Sequence, residues 1–379
     1  MNAARKKKEK KNAQKRDLVM GLGTTGLSVA RYLQREERTA CFMDSRDEPP
    51  GLDELEELWP DAEVHLGEKK LPGNVERVIV SPGIADSDPM LEKARKSRLE
   101  IVSDIELFCR AADAQFVGIT GSNGKSTVTT LLYHMCQADG RKVLAGGNLG
   151  RPALDLLDEE APDLYVLELS SFQLQRTANL PAAVAVLLNV TPDHLDWHVD
   201  EDEYRQAKYR IFREAEAAVF NRADPEAAEH TRHIDNVISF GFDAPADGHY
   251  GIRREDDQVS LARGDNLLLA VNDLALIGKH NQANALAALA AGELLGLGIQ
   301  SMLQVLCEFP GLPHRMQFVR RVSAVDYVND SKATNVAAAV ASIESVDGML
   351  VLIAGGEGKG DDFEALAEPL EKKLRAAVL

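Results

Sequence analysis

A chain of 379 residues has room for two or three domains, each with its own core. With 45% apolar and 27% charged residues it reads as an ordinary soluble globular protein, and 5% aromatics exclude broad base-stacking surfaces. A formal net charge of −17 argues against binding nucleic-acid backbone, although local loops can still hold a nucleotide. No apolar run approaches the ~18–20 residues of a membrane span. The four cysteines, Cys41, Cys109, Cys136 and Cys307, lie far apart without a CxxC pair, so buried thiols in a reducing compartment are expected.

Residues 1–16 carry a run of Lys and Arg against one acid, Glu9. No apolar segment follows to make a secretory signal, so a disordered, like-charged tail is expected, with a nucleic-acid or membrane-surface arm as the alternative. From Leu18 to about Val102, short β-branched runs (Thr39–Met43, Val78–Val80) alternate with helical patterns, as in a parallel α/β sheet. A second α/β series starts at Phe116 and continues through strands near Leu164–Leu167 and Val184–Leu188. Brief alternating segments from about Asn236 to Leu269 predict an antiparallel patch, and an alanine-rich helix follows over about Asn281–Leu295. Phe309-Pro310-Gly311-Leu312-Pro313 has linker chemistry. A third α/β series then begins with Val325–Val328, continues through a helix to Met349–Ile353, and ends in a fresh strand at Ala376–Leu379. That last segment is shorter than the ~100 residues a doubly wound domain usually needs, so it reads as unfinished.

The strongest local signal is Gly118-Ile-Thr-Gly121-Ser122-Asn123-Gly124-Lys125-Ser126-Thr127, between a strand and a helix. Glycines let backbone amides turn toward phosphates, the helix N-terminus adds a favourable dipole, Lys125 reaches terminal phosphates and the Ser126 hydroxyl suits Mg²⁺. The match to GxxxxGK[ST] is not literal, and a glycine-rich helix cap is the bland alternative. Gly21-Leu-Gly23-Thr24-Thr25-Gly26 also follows a strand and opens a helix, with Asp44 ending the next strand. Alone it is a dinucleotide fingerprint, with a solvated turn aspartate as the alternative for Asp44. Glu168, in Glu168-Leu-Ser170-Ser171-Phe-Gln173-Leu174, ends an apolar strand, where an acid beside a phosphate loop is placed to hold Mg²⁺. His194 and His198 have i,i+4 spacing, but Leu195 stands where a zincin needs Glu. Asn148 alone is an ordinary turn asparagine, and Lys208 alone is a surface lysine on a helix.

TGSNGKST resembles the loop of the Mur ligases and of the related folylpolyglutamate synthases. The amino-terminal GLGTTG segment and the ELSSFQL string favour the D-glutamate-adding Mur ligases, with another Mur-type or folylpolyglutamate synthase-like amide ligase as the alternative. The resemblance implies an α/β protein of three domains: a Rossmann-like UDP-sugar domain over 17–112, a central ATP-binding domain over 113–311 and a partial Rossmann-like domain over 312–379. It implies ATP, two Mg²⁺ ions and a carbamylated Lys208, with UDP-N-acetylmuramoyl-L-alanine and D-glutamate as partners and neither nucleic acid nor membrane. A cytoplasmic monomer is expected.

Residue by residue, the resemblance puts Gly121 to Thr127, Asn281, Asn284, Arg315, Asp330 and Lys332 on ATP. It puts Gly23, Thr24, Thr25, Asp44, Arg46, Ser81, Pro82, Gly83 and Asn148 on the nucleotide substrate. Lys332, Thr334 and Lys359 face the reaction centre and the incoming amino acid. Lys125, Glu168, His194 and Lys208 are the implied catalytic set, and Ser126, Glu168, His194 and Lys208 the metal set. His198 is left as a structural residue, Glu357 stands where Asp is commoner, and domain closure is expected near residue 312. The family's last ~70 residues have no counterpart, so the chain is expected to be a fragment that binds nucleotides and ligates poorly. A nicotinamide-dependent dehydrogenase would leave the second phosphate loop idle, and a non-catalytic nucleotide-binding regulator would tolerate loss of Glu168 and Lys208.

Overall fold

The computed structural model describes residues 15–68, 70–194, 197–346, 348–356 and 363–378. The basic run over 1–14, together with Asp196, Glu357 and Lys359, lies outside them. The described residues form two compact units, one within 15–115 and 144–181, the other within 116–143 and 182–378.

In the first unit, strands β1 (Arg16–Met20), β2 (Ala40–Asp44), β3 (Glu63–Leu66), β4 (Val75–Val80) and β5 (Glu100–Val102) form a parallel sheet in the order β3-β2-β1-β4-β5. The order reverses beside β1, and ligands of open α/β sheets bind at the carboxyl ends of strands at such a switch. Continuous apolar strands fit a sheet covered on both faces: Leu18, Met20, Cys41, Met43, Val78 and Val80 pack with Met90, Leu91 and Ala94 of the helix Pro89–Lys96. Asp17, fully buried, is held by Arg77 (Nε to Oδ1 2.9 Å, Nη2 to Oδ2 2.8 Å) and by Arg38 (Nε to Oδ2 3.1 Å). Residues 144–181 bring the strand Leu164–Glu168 and the short helix Ser171–Gln175. That helix starts at a full capping box, with Ser170 and Gln173 satisfying each other's backbone N–H.

In the second unit, the strands Asn266–Ala270, Gln258–Arg263, Tyr250–Glu255, Asn236–Phe240, Ala217–Asn221, Val184–Leu187 and Phe116–Thr120 lie side by side in that order. Asn236–Phe240 runs parallel to Ala217–Asn221, so the antiparallel patch begins at Tyr250 and not at Asn236. The helix Lys279–Leu294 packs against Lys125–Ala138, and its residues Ala285–Gly292 are buried on every side. Small alanines let it sit inside the unit where a larger stripe would not fit.

The region after the linker departs from the sequence reading. Gln317–Val322 is a strand that no pattern announced, and it pairs antiparallel with Val325–Asn329. Leu350–Ile353 and Leu374–Val378 pair parallel. Phe318, Val319, Val328, Val351, Ile353 and Val378 are exposed, so alternation there does not mark one buried face. The thiols also differ from expectation: Cys41 and Cys136 are buried, Cys109 is half-buried and Cys307 is exposed. Burial pushes the Cys41 thiol up to about 12 and Cys136 to about 11, which keeps both protonated and unreactive.

Candidate active site

In the first unit, the turn at Gly21 takes a left-handed φ of +93°, and a Cβ at Gly26 would collide with the Gly21 carbonyl oxygen. Both glycines are therefore dictated by geometry, while Gly23 faces open space. Helix Thr24–Arg35 begins at Gly23 with no side-chain cap and no acid in its first turn, so its amide N–H groups remain for an anion. Ser81 joins the two loops by donating its hydroxyl to the Gly21 carbonyl (3.1 Å). Thr24 and Thr25 open the helix, and Pro82 and Gly83 continue the Ser81 turn.

Asp44 is 5% exposed, which removes the solvated-turn alternative. Its Oδ2 accepts from Leu22 N (2.8 Å) and Arg46 Nη2 (2.8 Å), and its Oδ1 from Arg46 N (3.0 Å) and Nε (2.9 Å). Burial pushes the carboxyl up, but the Arg46 guanidinium and the two amides outweigh it and hold it at about 2. A depressed carboxylate stabilises the fold above its ordinary value of 3.8 and loses that contribution as pH falls toward 2. Asp44→Asn is therefore expected to flatten the fall in melting temperature between about pH 4 and pH 2; an unchanged acid limb would contradict this.

Glu168 ends its strand 3% exposed. Its Oε1 accepts from Asn148 Nδ2 (2.8 Å), and its backbone oxygen accepts from Asn148 N (2.8 Å). Its Oε2 is buried with no hydrogen-bond partner among the described residues. A carboxylate oxygen left unsatisfied in the interior is costly unless something claims it. The donor type suits a hard cation such as Mg²⁺. Gly147, at φ +94°, lets the Asn148 loop approach, since a Cβ there would strike the Glu168 carbonyl.

In the second unit, Gly124 caps helix Lys125–Ala138 at φ +88° without a side-chain cap, and a Cβ on it would strike Asn284 Oδ1. Lys125 Nζ donates to the carbonyls of Gly121 (2.8 Å) and Ser122 (2.9 Å). Lys208 is buried in helix Glu201–Tyr209 and not on the surface; its Nζ donates to the same Gly121 oxygen (2.9 Å) and lies 4.6 Å from the centroid of the Tyr204 ring. An ammonium cannot ligate a metal, so Lys208 fits a cation only as an anionic adduct. His194 has a left-handed φ of +55°, and neither it nor His198 is in a helix, so their spacing is not a shared helical face. His198 is buried, and burial holds its imidazole below the ordinary range.

A cavity of about 560 Å³ in this unit gathers Asn123, Gly124, Thr127, Asn281, Asn284, Arg315, Asp330 and Lys332. Three distant sequence segments therefore meet on one space. Arg315 Nη2 donates to Ser126 Oγ (3.2 Å), Asn284 Nδ2 to Asn281 Oδ1 (3.1 Å), and Asp330 Oδ1 accepts from Met316 N (2.9 Å). His314 and Met316 take left-handed φ values of +64° and +45°, strain the surrounding hydrogen bonds over-determine. Thr334 is exposed just before the helix Val336–Ser345.

Three residues that the sequence did not single out hold this framework. Asn189 clamps Asn123 by two bonds of 2.9 Å, Tyr204 shares a 2.7 Å bond with Ser122, and Arg176 braces the Ser81 loop. Asn189 lies just past the strand Val184–Leu187, and that position was the one available signal.

Residues 15–103 match the N-terminal domain of MurD-like Mur ligases, and residues 119–292 match the Mur ligase middle domain. A UDP-N-acetylmuramoylalanine–D-glutamate ligase of Legionella pneumophila strain Paris is 47% identical over 371 residues, covering 96% of this chain and 83% of that protein. The chain belongs to the UDP-N-acetylmuramoylalanine–D-glutamate ligase family of Mur ligases. Other members of this ligase family, from Nitrosococcus oceani and Marinobacter nauticus, are each 48% identical, covering 96% and 97% of this chain and 81% and 83% of theirs. Among solved Mur ligases, the UDP-N-acetylmuramate-alanine ligase of Thermotoga maritima superposes with a TM-score of 0.58 at 18% identity, covering 97% of this chain and 86% of that one. The MurF ligase of Thermotoga maritima, solved with ADP, gives 0.57 at 17%, covering 97% and 87%. At such identity these two Mur ligases share the fold. No helix among the described residues is long and apolar enough to cross a membrane.

Proposed function

We propose that the protein joins D-glutamate to UDP-N-acetylmuramoyl-L-alanine with ATP, as a cytoplasmic monomer, in the building of peptidoglycan. The observation that carries this reading is the cavity where the phosphate loop, the start of helix Lys279–Leu294 and the Arg315–Lys332 segment meet, in a chain of this ligase family. The L-alanine carboxylate attacks the terminal phosphorus of ATP, ADP departs, and an acyl phosphate forms. The amine of D-glutamate then attacks the carbonyl carbon, loses a proton, and the tetrahedral adduct expels inorganic phosphate. Little covalent chemistry falls to the protein, so its contribution is positioning and charge neutralisation.

Lys125 and the helix N-terminus behind Gly124 stabilise the transferring phosphoryl group, Asn281, Asn284 and Asp330 hold the nucleoside, and Lys332 faces the reaction centre. Gly23, Thr24 and Thr25, the Ser81–Gly83 turn, Arg46 beside Asp44, and Asn148 hold the UDP-sugar. Thr334 and Lys359 meet the incoming amino acid. Ser126, Glu168, His194 and a carbamate on Lys208 are the proposed ligands of two Mg²⁺ ions, and bound Mg²⁺ neutralises charge on the phosphates. The unspent Glu168 oxygen supports this donor set.

The test is phosphate release from ATP with Mg²⁺, in the presence of both substrates and with each omitted. Release that requires UDP-N-acetylmuramoyl-L-alanine and D-glutamate together is the expected result. Release supported equally well by another amino acid would replace the substrate, and release indifferent to both would end the ligase reading.

A further inference from the structure

Arg176 is a buried residue of the first unit whose arrangement the chemistry above leaves unused. It follows directly on helix Ser171–Gln175, and its side chain is only 5% exposed. Its guanidinium donates to the carbonyl oxygens of Ser81 (3.3 Å) and Ile84 and to Asp86 Oδ1 (3.4 Å). Taking a guanidinium out of water is expensive, and a planar fork of donors is the group that can hold several oxygens at fixed angles. The counter-charge is shared, because Asp86 Oδ1 also accepts from Arg95 Nη2 (2.5 Å). Asp86 thus ties both guanidinium groups to the Ser81–Ile84 turn, with the Asp88 carboxylate also acting on Arg176.

We infer that Arg176 is a positioning residue for the diphosphate of the UDP-sugar, acting through the loop Ser81–Ile84. This rests on the reading of Gly23–Thr25 and Ser81–Gly83 as the UDP-sugar loops. Arg176 turns the carbonyl lone pairs of Ser81 and Ile84 toward itself, away from an approaching anion. Ser81 passes the constraint on by donating its hydroxyl to the Gly21 carbonyl, at the turn that starts the uncapped helix Thr24–Arg35. A residue in the strand–helix segment that begins with Glu168 therefore sets the shape of an anion site made by other segments.

The test is titration of the full chain with UDP and separately with ATP, alongside KM for the UDP-sugar, kcat and melting temperature. Arg176→Met is expected to weaken UDP binding about tenfold or more while ATP affinity stays within about twofold. Arg176→Lys keeps the charge without the fork, and is expected to lose about threefold in UDP affinity. The UDP-sugar KM should rise with kcat nearly constant, a split that general loosening of the fold would not produce. If Arg176→Met does not fold, the lysine variant and its KM split decide. Unchanged UDP affinity in the variants, or a parallel loss of ATP affinity, would overturn the role of Arg176. Absence of UDP binding by the unmodified chain would instead overturn the loop assignment on which the role depends.

Discussion

Lys125→Ala is expected to lower kcat/KM about a thousandfold or more, equivalent to about 4 kcal/mol of lost transition-state stabilisation. Lys125 stands at the first position of its helix, just past the left-handed Gly124, and its ammonium is held by two carbonyls of its own loop. Carbonyl oxygens are weaker partners for an ammonium than a phosphate carrying developing charge, so an incoming nucleotide is expected to take over those contacts. The alanine variant loses that stabilisation while the glycine framework of the loop, set by Gly121 and Gly124, is untouched. UDP binding should be unaffected, because Lys125 belongs to the other unit. Steady-state phosphate release and UDP titration check both halves. A loss of less than tenfold in kcat/KM would remove Lys125 from the phosphoryl-transfer machinery.

Glu168→Gln is expected to cost about a thousandfold in kcat without lowering the melting temperature. Most buried polar substitutions lower both. Here the native carboxylate already has one buried oxygen with no hydrogen-bond partner among the described residues, and the amide retains the oxygen that accepts from Asn148. Removing a buried carboxylate that forms no ion pair among the described residues relieves desolvation, so stability is kept or rises. Loss of activity with retained stability would separate a ligand-holding group from a structural one. If the glutamine variant melts well below the parent, the carboxylate serves the fold. If its Mg²⁺ dependence equals that of the parent, the metal role falls.

The sequence showed most of the sheets and the main loops because these depend on local signals. Phosphate loops need glycine where φ is positive, and Gly121, Gly124 and Gly21 are all of that kind. Buried parallel strands need continuous apolar runs, and Phe116–Thr120 and Leu164–Glu168 have them. Other features are set by partners distant along the chain. Lys208 has a charged, amphipathic helix around it, and only the fold shows that its amine lies inside against Tyr204 and Gly121. Asn189 and Arg176 act through backbone carbonyls and amides, which carry no signature in the residues they touch. Gln317–Val322 was missed because two arginines interrupt its apolar alternation, and its strand state comes from pairing with Val325–Asn329. The exposure of Cys307 likewise follows from which face of helix Ile299–Glu308 turns outward.

The stretch from Glu168 to Arg176 is anchored at both ends and along its length. The capping box fixes Ser170 to Gln173, Gln173 Nε2 reaches Asp104 (3.3 Å), and Thr177 meets Ser103 (2.9 Å). Just beyond, Glu106 accepts from the amides of Ala178 (2.9 Å) and Asn179 (3.0 Å). Such a segment is a spacer of fixed length, and its tolerance is for side-chain exchange and not for a change of residue count. One residue added inside it would rotate the short helix by about 100° and leave either the acid or the arginine facing the wrong way. Drift among descendants of this chain should accordingly accumulate as substitutions here, while gains and losses of residues are confined to neighbouring turns.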